Sequence, residues 1–531
     1  MSQSKNHTAI NSLEKKIEYI TNRPILFLSV IAVVGLIIRL KYFPFEIPII
    51  LDASGYFWYA IDTKVLGHLP TADCGWRCTF PNNGWPALLS VFFSLINSNN
   101  FMDYMNFQRA LTVSISILTI IPIYLLCCRF LDKRYALFGA ALFAIDPRLI
   151  QNSLLGITEP FFILCVTTAL FLFLSNNNKT IYASFAIAAI SSLIRYEGFL
   201  MLIPFTIMFF VRFRRERKVI PRYLLALSIF ALTLLPMTWE RLETTGQDGV
   251  ISHIASGPKY YQTMAHEKGD EFILSHFVYL GIINMAKFLV LVSLPTFIVF
   301  LPVGTFVVFR KIDYKKATII LTAIIMLLPA FYAYSRDYQE VRYLLVLSPI
   351  FCVLSMLAIK SVQSRFKIPN IMLITAICII LIVGLAFLEY KQSGYDLQRE
   401  AAQIAQHVYG ITKVVNYYPQ GSYLDNARIA ASQSFPVSRI NLPVKIQTIY
   451  MEGYNTLEEY IEQNSDEGLT YLVIDKGDHR TFFLDDVFVN ENQYPYLKKV
   501  FDSFDNGYKK YHVKIFKIDY DLFDSMKKDA H

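Results

Sequence analysis

Asp52 stands in the run Ile50-Leu51-Asp52-Ala53-Ser54-Gly55-Tyr56-Phe57-Trp58-Tyr59, an acid set between an apolar approach and an aromatic, helix-spaced stretch. Partial desolvation there would raise its basicity, which makes Asp52 a candidate general base for taking a proton from an acceptor hydroxyl. The same position suits an N-cap ahead of an amphipathic helix lying on a membrane, and the residues alone leave both readings open. Further along, Arg336 and Arg342 flank Asp337-Tyr338-Gln339-Glu340-Val341. A guanidinium grips phosphate oxygens through paired donors, although arginines at such a place also serve as membrane-edge anchors or as partners of Asp337 and Glu340. Glu159 opens an apolar run, where it either holds a substrate or an arginine or simply favours the helix dipole. His253, His266 and His276 match no metal-ligand spacing and read as dispersed surface histidines. Tyr260-Tyr261 and Trp239 fit an interfacial aromatic belt better than sugar-stacking faces.

The elements that must position these residues are set by composition. Of 531 residues, 54% are hydrophobic and only 17% charged, so most of the chain belongs in lipid. The net charge of +8 comes from short clusters between apolar runs, such as Arg212, Arg214, Arg215, Arg217 and Lys218, which speak of topology and exclude a phosphate-tracking stripe for nucleic acid. Cys127, Cys128, Cys165, Cys352 and Cys378 fall in or beside apolar runs and read as small buried hydrophobes. Cys74 and Cys78 lie in a polar loop, where an oxidising compartment would join them across Gly75-Trp76-Arg77, the alternative being two free thiols. The first apolar run follows a polar amphipathic stretch, lacks a small-residue cleavage site and is expected to be a retained anchor.

A helix needs about 20 mostly apolar residues to cross the hydrocarbon core. That ruler predicts spans at 24–43, 107–128, 135–151, 158–176, 180–194, 197–211, 222–239, 287–309, 317–333, 342–360 and 369–389, giving a polytopic α-helical membrane protein of about eleven transmembrane helices. The run from 180 to 211 is broken at Arg195-Tyr196-Glu197-Gly198, because one continuous helix would bury Arg195 and Glu197 near the bilayer centre. Lysine and arginine collect in alternate connections, which places the N-terminus in the cytoplasm and everything after Tyr390 outside it. Arg39 and Lys41 oppose that rule and are expected to snorkel. Large outer loops then cover 43–106 and 240–286. The chain divides into a transmembrane module, 1–389, and a small soluble α/β domain, 390–531. In the latter, Asp396 to Tyr409 reads as helix, Lys413 to Tyr418 as strand, Asn455 to Gln463 as a helix capped by Asn455, Tyr471 to Asp475 as a buried strand, and Lys510 to Ile518 as an alternating strand. The spans are nearly free of acids. Pro295 and Pro302 interrupt the eighth with no charge beside them, which argues against the broken, charged helices of a transporter.

The order Arg39, Asp52, Tyr56 to Tyr59, Gly67-His68-Leu69-Pro70 and Asn83-Gly84-Trp85-Pro86 resembles the start of membrane C-type glycosyltransferases, of the protein O-mannosyltransferase and lipid A aminoarabinose transferase branch. The resemblance continues through Asp146-Pro147-Arg148, Thr158-Glu159-Pro160, Arg195-Tyr196-Glu197-Gly198 and the segment from Arg336 to Pro349. It covers roughly the first three quarters of the chain. It implies transfer of a sugar from a polyprenyl-phosphate carrier to an acceptor hydroxyl of a protein, lipid or glycan, on the outer side of a prokaryotic plasma membrane. In that chemistry cations hold the leaving phosphate while a base acts on the opposite face of the anomeric carbon. Arg336 and Arg342 are then the first choice for the phosphate, with Arg195 and Arg77 behind them, Asp52 is the base, and Glu159, Tyr56 and Asp146 hold the acceptor or support the site. The family's first loop usually carries paired acids. This chain has one, in Asp52-Ala53-Ser54, so a divalent metal is possible without a paired-acid motif to support it, and no cofactor is assigned. The competing reading from another class is a transporter or flippase of a lipid-linked sugar.

Overall fold

The computed structural model describes residues 23–49, 52–70, 83–98, 101–246, 248, 274–367, 369–392, 396, 399–400, 403–404, 416–417, 423–424, 428–431, 446–448, 454–465, 469–475 and 482–529. The helices follow the apolar runs in order: α1 (Pro24–Lys41), α2 (Asp52–Leu66), α3 (Gly84–Phe93), α4 (Phe101–Leu118), α5 (Ile120–Cys127), α6 (Lys133–Ile145), α7 (Pro147–Ser153), α8 (Glu159–Phe173) and α9 (Asn178–Ile194). After a 3₁₀ turn at Tyr196–Met201 come α10 (Leu202–Phe213), α11 (Val219–Thr245), α12 (Leu274–Ser293), α13 (Phe300–Arg310) and α14 (Tyr314–Ser335). A second 3₁₀ turn, Val341–Leu347, leads into α15 (Ser348–Phe366) and α16 (Asn370–Gln392).

Punctuation is local. Asn177 and Asp313 cap α9 and α14 by accepting from the backbone N–H of Lys179 and Lys316, at 3.0 and 2.9 Å, and Pro24, Pro147 and Pro160 sit in first turns, where a missing N–H costs nothing. The long α11 ends at Gly246, whose φ of +68° closes the helix in the left-handed region.

Among the described residues, seven helical segments are long and apolar enough to cross a membrane: 24–41, 102–127, 196–213, 219–245, 274–293, 314–335 and 341–366. The expected count of eleven is not reached by that criterion: α6, α8 and α9 have 13, 15 and 17 residues, below the length it asks for, and α16, though 23 residues long, is not among the seven. The expected break at Arg195 is there, its backbone extended at φ −146° and ψ 132° between α9 and the first 3₁₀ turn. The span expected at 287–309 is instead two helices, α12 and α13, joined by irregular backbone at 294–299 that begins at Leu294-Pro295. The expected outer loop 43–106 contains α2, α3 and the start of α4.

The chain forms two compact units. One comprises Met1–Phe43, Thr79–Ser98 and Asn106–Glu389. Its core is aliphatic and aromatic, with Phe173 stacked on Phe205 at 4.2 Å. Glycines let its helices close together, because a Cβ on Gly304 of α13 would meet the Leu354 carbonyl oxygen of α15 at 2.2 Å and one on Gly281 of α12 would meet Ser335 Oγ at 2.3 Å. The other unit comprises Pro44–Cys78, Asn99–Met105 and Tyr390–His531. Its C-terminal part introduces β1 (Asn416–Tyr417), β2 (Tyr423–Leu424), β3 (Arg428–Ala431), β4 (Ile446–Thr448), α17 (Leu457–Ser465), β5 (Leu469–Asp475), α18 (Phe482–Val489), β6 (Leu497–Asp502), β7 (Val513–Ile518) and α19 (Tyr520–Asp529). A five-stranded sheet runs β4-β3-β5-β7-β6. β3 pairs in parallel with β4 and β5, and β7 is antiparallel to β5 and β6. The buried strand and the alternating strand read from the sequence are β5 and β7. The cap of α17 falls one residue later than expected: Thr456 Oγ1 accepts from the Glu459 N–H at 3.1 Å, and the Glu459 carboxylate reaches back to the Asn455 N–H at 3.0 Å.

Candidate active site

Four charged side chains converge in the helical unit where four segments meet. Glu159 begins α8 just after Thr158, Arg195 and Glu197 occupy the break after α9, and Arg342 lies in the second 3₁₀ turn. Sequence explains the tight break. A Cβ on Gly198 would fall 2.5 Å from the Ser191 carbonyl carbon, so the returning backbone packs against α9 only because residue 198 has no side chain. Arg195 is thereby delivered to both acids: Nη1 donates to Glu159 Oε1 at 2.8 Å, Nη2 to Glu197 Oε1 at 2.7 Å and Nε to Glu197 Oε2 at 3.3 Å. Thr158 Oγ1 accepts from Nη1 at 3.3 Å. Glu159 and Glu197 are buried, and two donors of one planar guanidinium on Glu197 form the two-pronged contact that lysine cannot reproduce.

These residues and Arg342 line a cavity of ≈ 20 Å³, walled by Phe162, Met326, Pro329 and Tyr343. That is room for about one water. Two carboxylates and two guanidiniums line it, so its charges balance.

Arg336 is half-buried at the C-terminal end of α14, its guanidinium 5.5 Å from the Tyr332 ring and 5.1 Å from that of Tyr338. Asp337 follows in the left-handed region, φ 60°, which turns the chain toward Arg342. Tyr334 braces this turn by donating to the Glu340 carbonyl at 2.9 Å. Arg336, Arg342, Arg195 and Glu159 thus share one unit, while Asp52 and Tyr56 belong to the other. Asp52 is exposed at the first position of α2, and Tyr56 is half-buried one turn on. Asp146 is 1% exposed and caps α7, accepting from the Arg148 and Leu149 N–H groups at 3.0 Å each. Arg77, Cys74, Cys78, His253, His266 and Tyr260-Tyr261 lie outside the described residues. Among the described residues, no group of three or more His, Cys, Asp or Glu side chains is placed to share a metal ion.

Arg39 does not snorkel. It is 0% exposed and donates to Ser153 Oγ at 3.2 Å, Ser116 Oγ at 3.0 Å and the carbonyls of Gly35 and Ala144 at 3.0 and 2.9 Å. Two small hydroxyl residues and a glycine on its own helix make the space, so four hydrogen bonds inside the bundle replace the reach to water. A further buried pair went unread in the sequence: Arg241 near the end of α11 donates to Asn83 Oδ1 at 2.8 Å, just ahead of Gly84-Trp85-Pro86. Its only trace was the Asn83 motif.

A family model for dolichyl-phosphate-mannose-protein mannosyltransferase matches residues 85–239. No curated protein sequence matches the chain. Among solved structures, ArnT from Cupriavidus metallidurans bound to undecaprenyl phosphate is similar at 11% identity, with 94% of this chain and 98% of that one covered and a TM-score of 0.56. The Archaeoglobus fulgidus oligosaccharyltransferase tethered to an acceptor peptide is similar at 15% identity, with 84% and 69% covered and a TM-score of 0.54. The resemblance to C-type membrane glycosyltransferases carried by the motifs is met by this shared fold.

Proposed function

We propose that this chain is an integral membrane glycosyltransferase that moves a sugar from a polyprenyl-phosphate carrier to an acceptor hydroxyl on the extracytoplasmic side of a prokaryotic plasma membrane. The observation that carries the reading is a fold shared almost end to end with a protein crystallised on undecaprenyl phosphate, joined to two arginines at one cavity. Asp52 takes the proton of the acceptor hydroxyl, whose oxygen bonds to the anomeric carbon as the bond from that carbon to the phosphate oxygen breaks. Arg342 and Arg336 receive the charge that develops on the phosphate. Arg195, already held by Glu159 and Glu197, fixes the wall against which Arg342 works, and Arg77 is a further candidate for the phosphate. Glu159, Tyr56 and Asp146 hold the acceptor or support the site, Asp146 through the Asp-Pro-Arg corner that it caps. These steps call on no cofactor.

Washed membranes containing the chain, given radiolabelled polyprenyl-phosphate sugar, should yield a labelled product that membranes without it do not. A carrier flipped across the membrane with no product would replace this reading with a flippase. Asp52→Asn keeps size and capping oxygen but cannot accept the proton, so purified variant should insert normally and show no transfer above background. Ordinary turnover would remove Asp52 from the mechanism.

A further inference from the structure

By length and composition α12 passes for a membrane span. Its contacts place it elsewhere. Phe277 meets Tyr332 with ring centroids 6.2 Å apart, Gly281 lies against Phe331 and Ser335, and Asn284 Nδ2 donates to the Tyr334 carbonyl at 3.1 Å. Phe288 stacks on Tyr334 at 4.8 Å, and Lys287 Nζ donates to Gln339 Oε1 at 2.9 Å. From 277 to 288 the helix advances about 16 Å, yet every one of these partners falls within residues 331–339, the last turn of α14 and the loop after it. Two spans packed side by side would move apart in register along both helices. Here one helix crosses the end of the other.

The lengths require the same arrangement. α12 has 20 residues and α13 has 11, so on one axis they would reach about 46 Å before counting 294–299, against a hydrocarbon core of about 30 Å. The crossing itself is accounted for without α12. Arg148 Nε donates to the Leu294 carbonyl at 3.0 Å, Phe297 meets Phe351 at 5.8 Å, and Gly304 abuts Leu354. This segment therefore descends beside α15, and α13 ends at Arg310, close in sequence to the start of α14 at the opposite end from Ser335.

We infer that α12 is not a separate crossing but an interfacial helix, lying at the Ser335 end of the bundle with its outer face in the boundary between lipid headgroups and acyl chains. Gly281, Asn284, Phe288 and Val292 form the buried stripe. Leu274, Val278, Ile282, Ile283 and Val290 are exposed with Tyr279 and Lys287 among them, an apolar face carrying the amphipathic and cationic side chains that suit that boundary. The partner is the bilayer surface itself.

The test compares lysine at the midpoints of two helices that look alike by composition. Leu232, exposed at the centre of α11, is flanked by helix on both sides for a full crossing, and Leu232→Lys should reduce inserted, folded protein on the order of a hundredfold. Ile282→Lys should stay within about twofold of the parent, because lysine at the boundary reaches water. Equal losses would overturn the proposal. Depth is read independently by tryptophan at Val278, Ile282 or Val290 in vesicles of phosphatidylcholine brominated at different chain depths, as the difference from parent fluorescence. The three should be quenched alike and most by the shallowest bromine. A maximum that shifts from shallow to deep along the series, as about 18 Å of spanning helix demands, or no quenching because protein covers the face, would overturn it.

Discussion

Arg39 is buried and Arg195 half-buried in the same helical unit, and the surroundings of each hold a guanidinium differently. Around Arg39 the acceptors are two serine hydroxyls and two backbone carbonyls on α1, α4, α6 and α7, all neutral and all used. Around Arg195 they are two carboxylates beside a cavity into which a second arginine also faces. Neutral acceptors hold a guanidinium permanently and offer nothing to exchange. Carboxylates at a cavity that a second guanidinium also lines put opposite charges where a ligand group could reach them. The first region is a fastening, and the second is the one proposed to meet a ligand.

The largest effect that would sharpen this contrast is on stability at the fastening. Arg39→Met strands the groups that Arg39 joins, and should cost about 3–5 kcal/mol, as losing one side of a buried charged network does. It would be read as a collapse in the yield of monodisperse protein and in Tm. A near-normal Tm would mean that the region tolerates an apolar side chain and the contrast fails. Next, Arg342→Lys keeps the charge and loses the two-pronged geometry, so single-turnover transfer at saturating donor should slow about 30- to 1000-fold, or roughly 2–4 kcal/mol, while Tm barely moves. Arg336→Lys should behave similarly, with the two losses less than additive because both act on one phosphate. Near-normal rates in both would take this turn out of the active site. Glu197→Gln removes one of the two acids on Arg195 and should lower stability by about 1–2 kcal/mol, discounted because Arg195 keeps 17% of its side chain exposed and retains Glu159. Freed in part from its clamp, Arg195 should then bind inorganic phosphate more tightly in the variant than in the parent, and unchanged binding would show that the clamp does not govern the site's charge. The smallest effect is expected from Ser116→Ala, which takes one acceptor of four from Arg39 and should cost about 1 kcal/mol in a denaturant titration. A loss as large as that of Arg39→Met would assign the fastening to one contact and not to the set.

Apolar runs and the break at Arg195 were legible because each depends on a cost that one short window contains: twenty apolar residues in a row, or a charge pair in the middle of such a row. Arg39 was misread for the opposite reason. Near a helix end it looks like any arginine within reach of water, and the acceptors that bury it lie 77, 105 and 114 residues away. Asn83 and Arg241, 158 residues apart, were invisible as a pair on the same grounds. Arg195 and Arg342 were both singled out, but their arrival at one cavity depends on the folding of four segments. Of 274–310, the sequence places residues up to 286 in an outer loop and marks the interruption at Pro295, but the span it predicts begins at 287, inside α12, because an apolar run does not show where a helix starts or which way it points.

The short reach of α6 and α13 bears on how the chain enters the membrane. Thirteen residues, or eleven, do not hold a nascent segment across a bilayer alone. α6 must be accepted as the second arm of a hairpin with α5, closed where Gly139 lets Cys127 Sγ approach to within 2.9 Å of its Cβ position, and α13 must wait for the 22 residues of α14 behind it. Insertion of this unit is thus a pairwise event, and a lengthened connection at 128–132 or 311–313 should trap protein in the membrane half-integrated even though no helix has been altered.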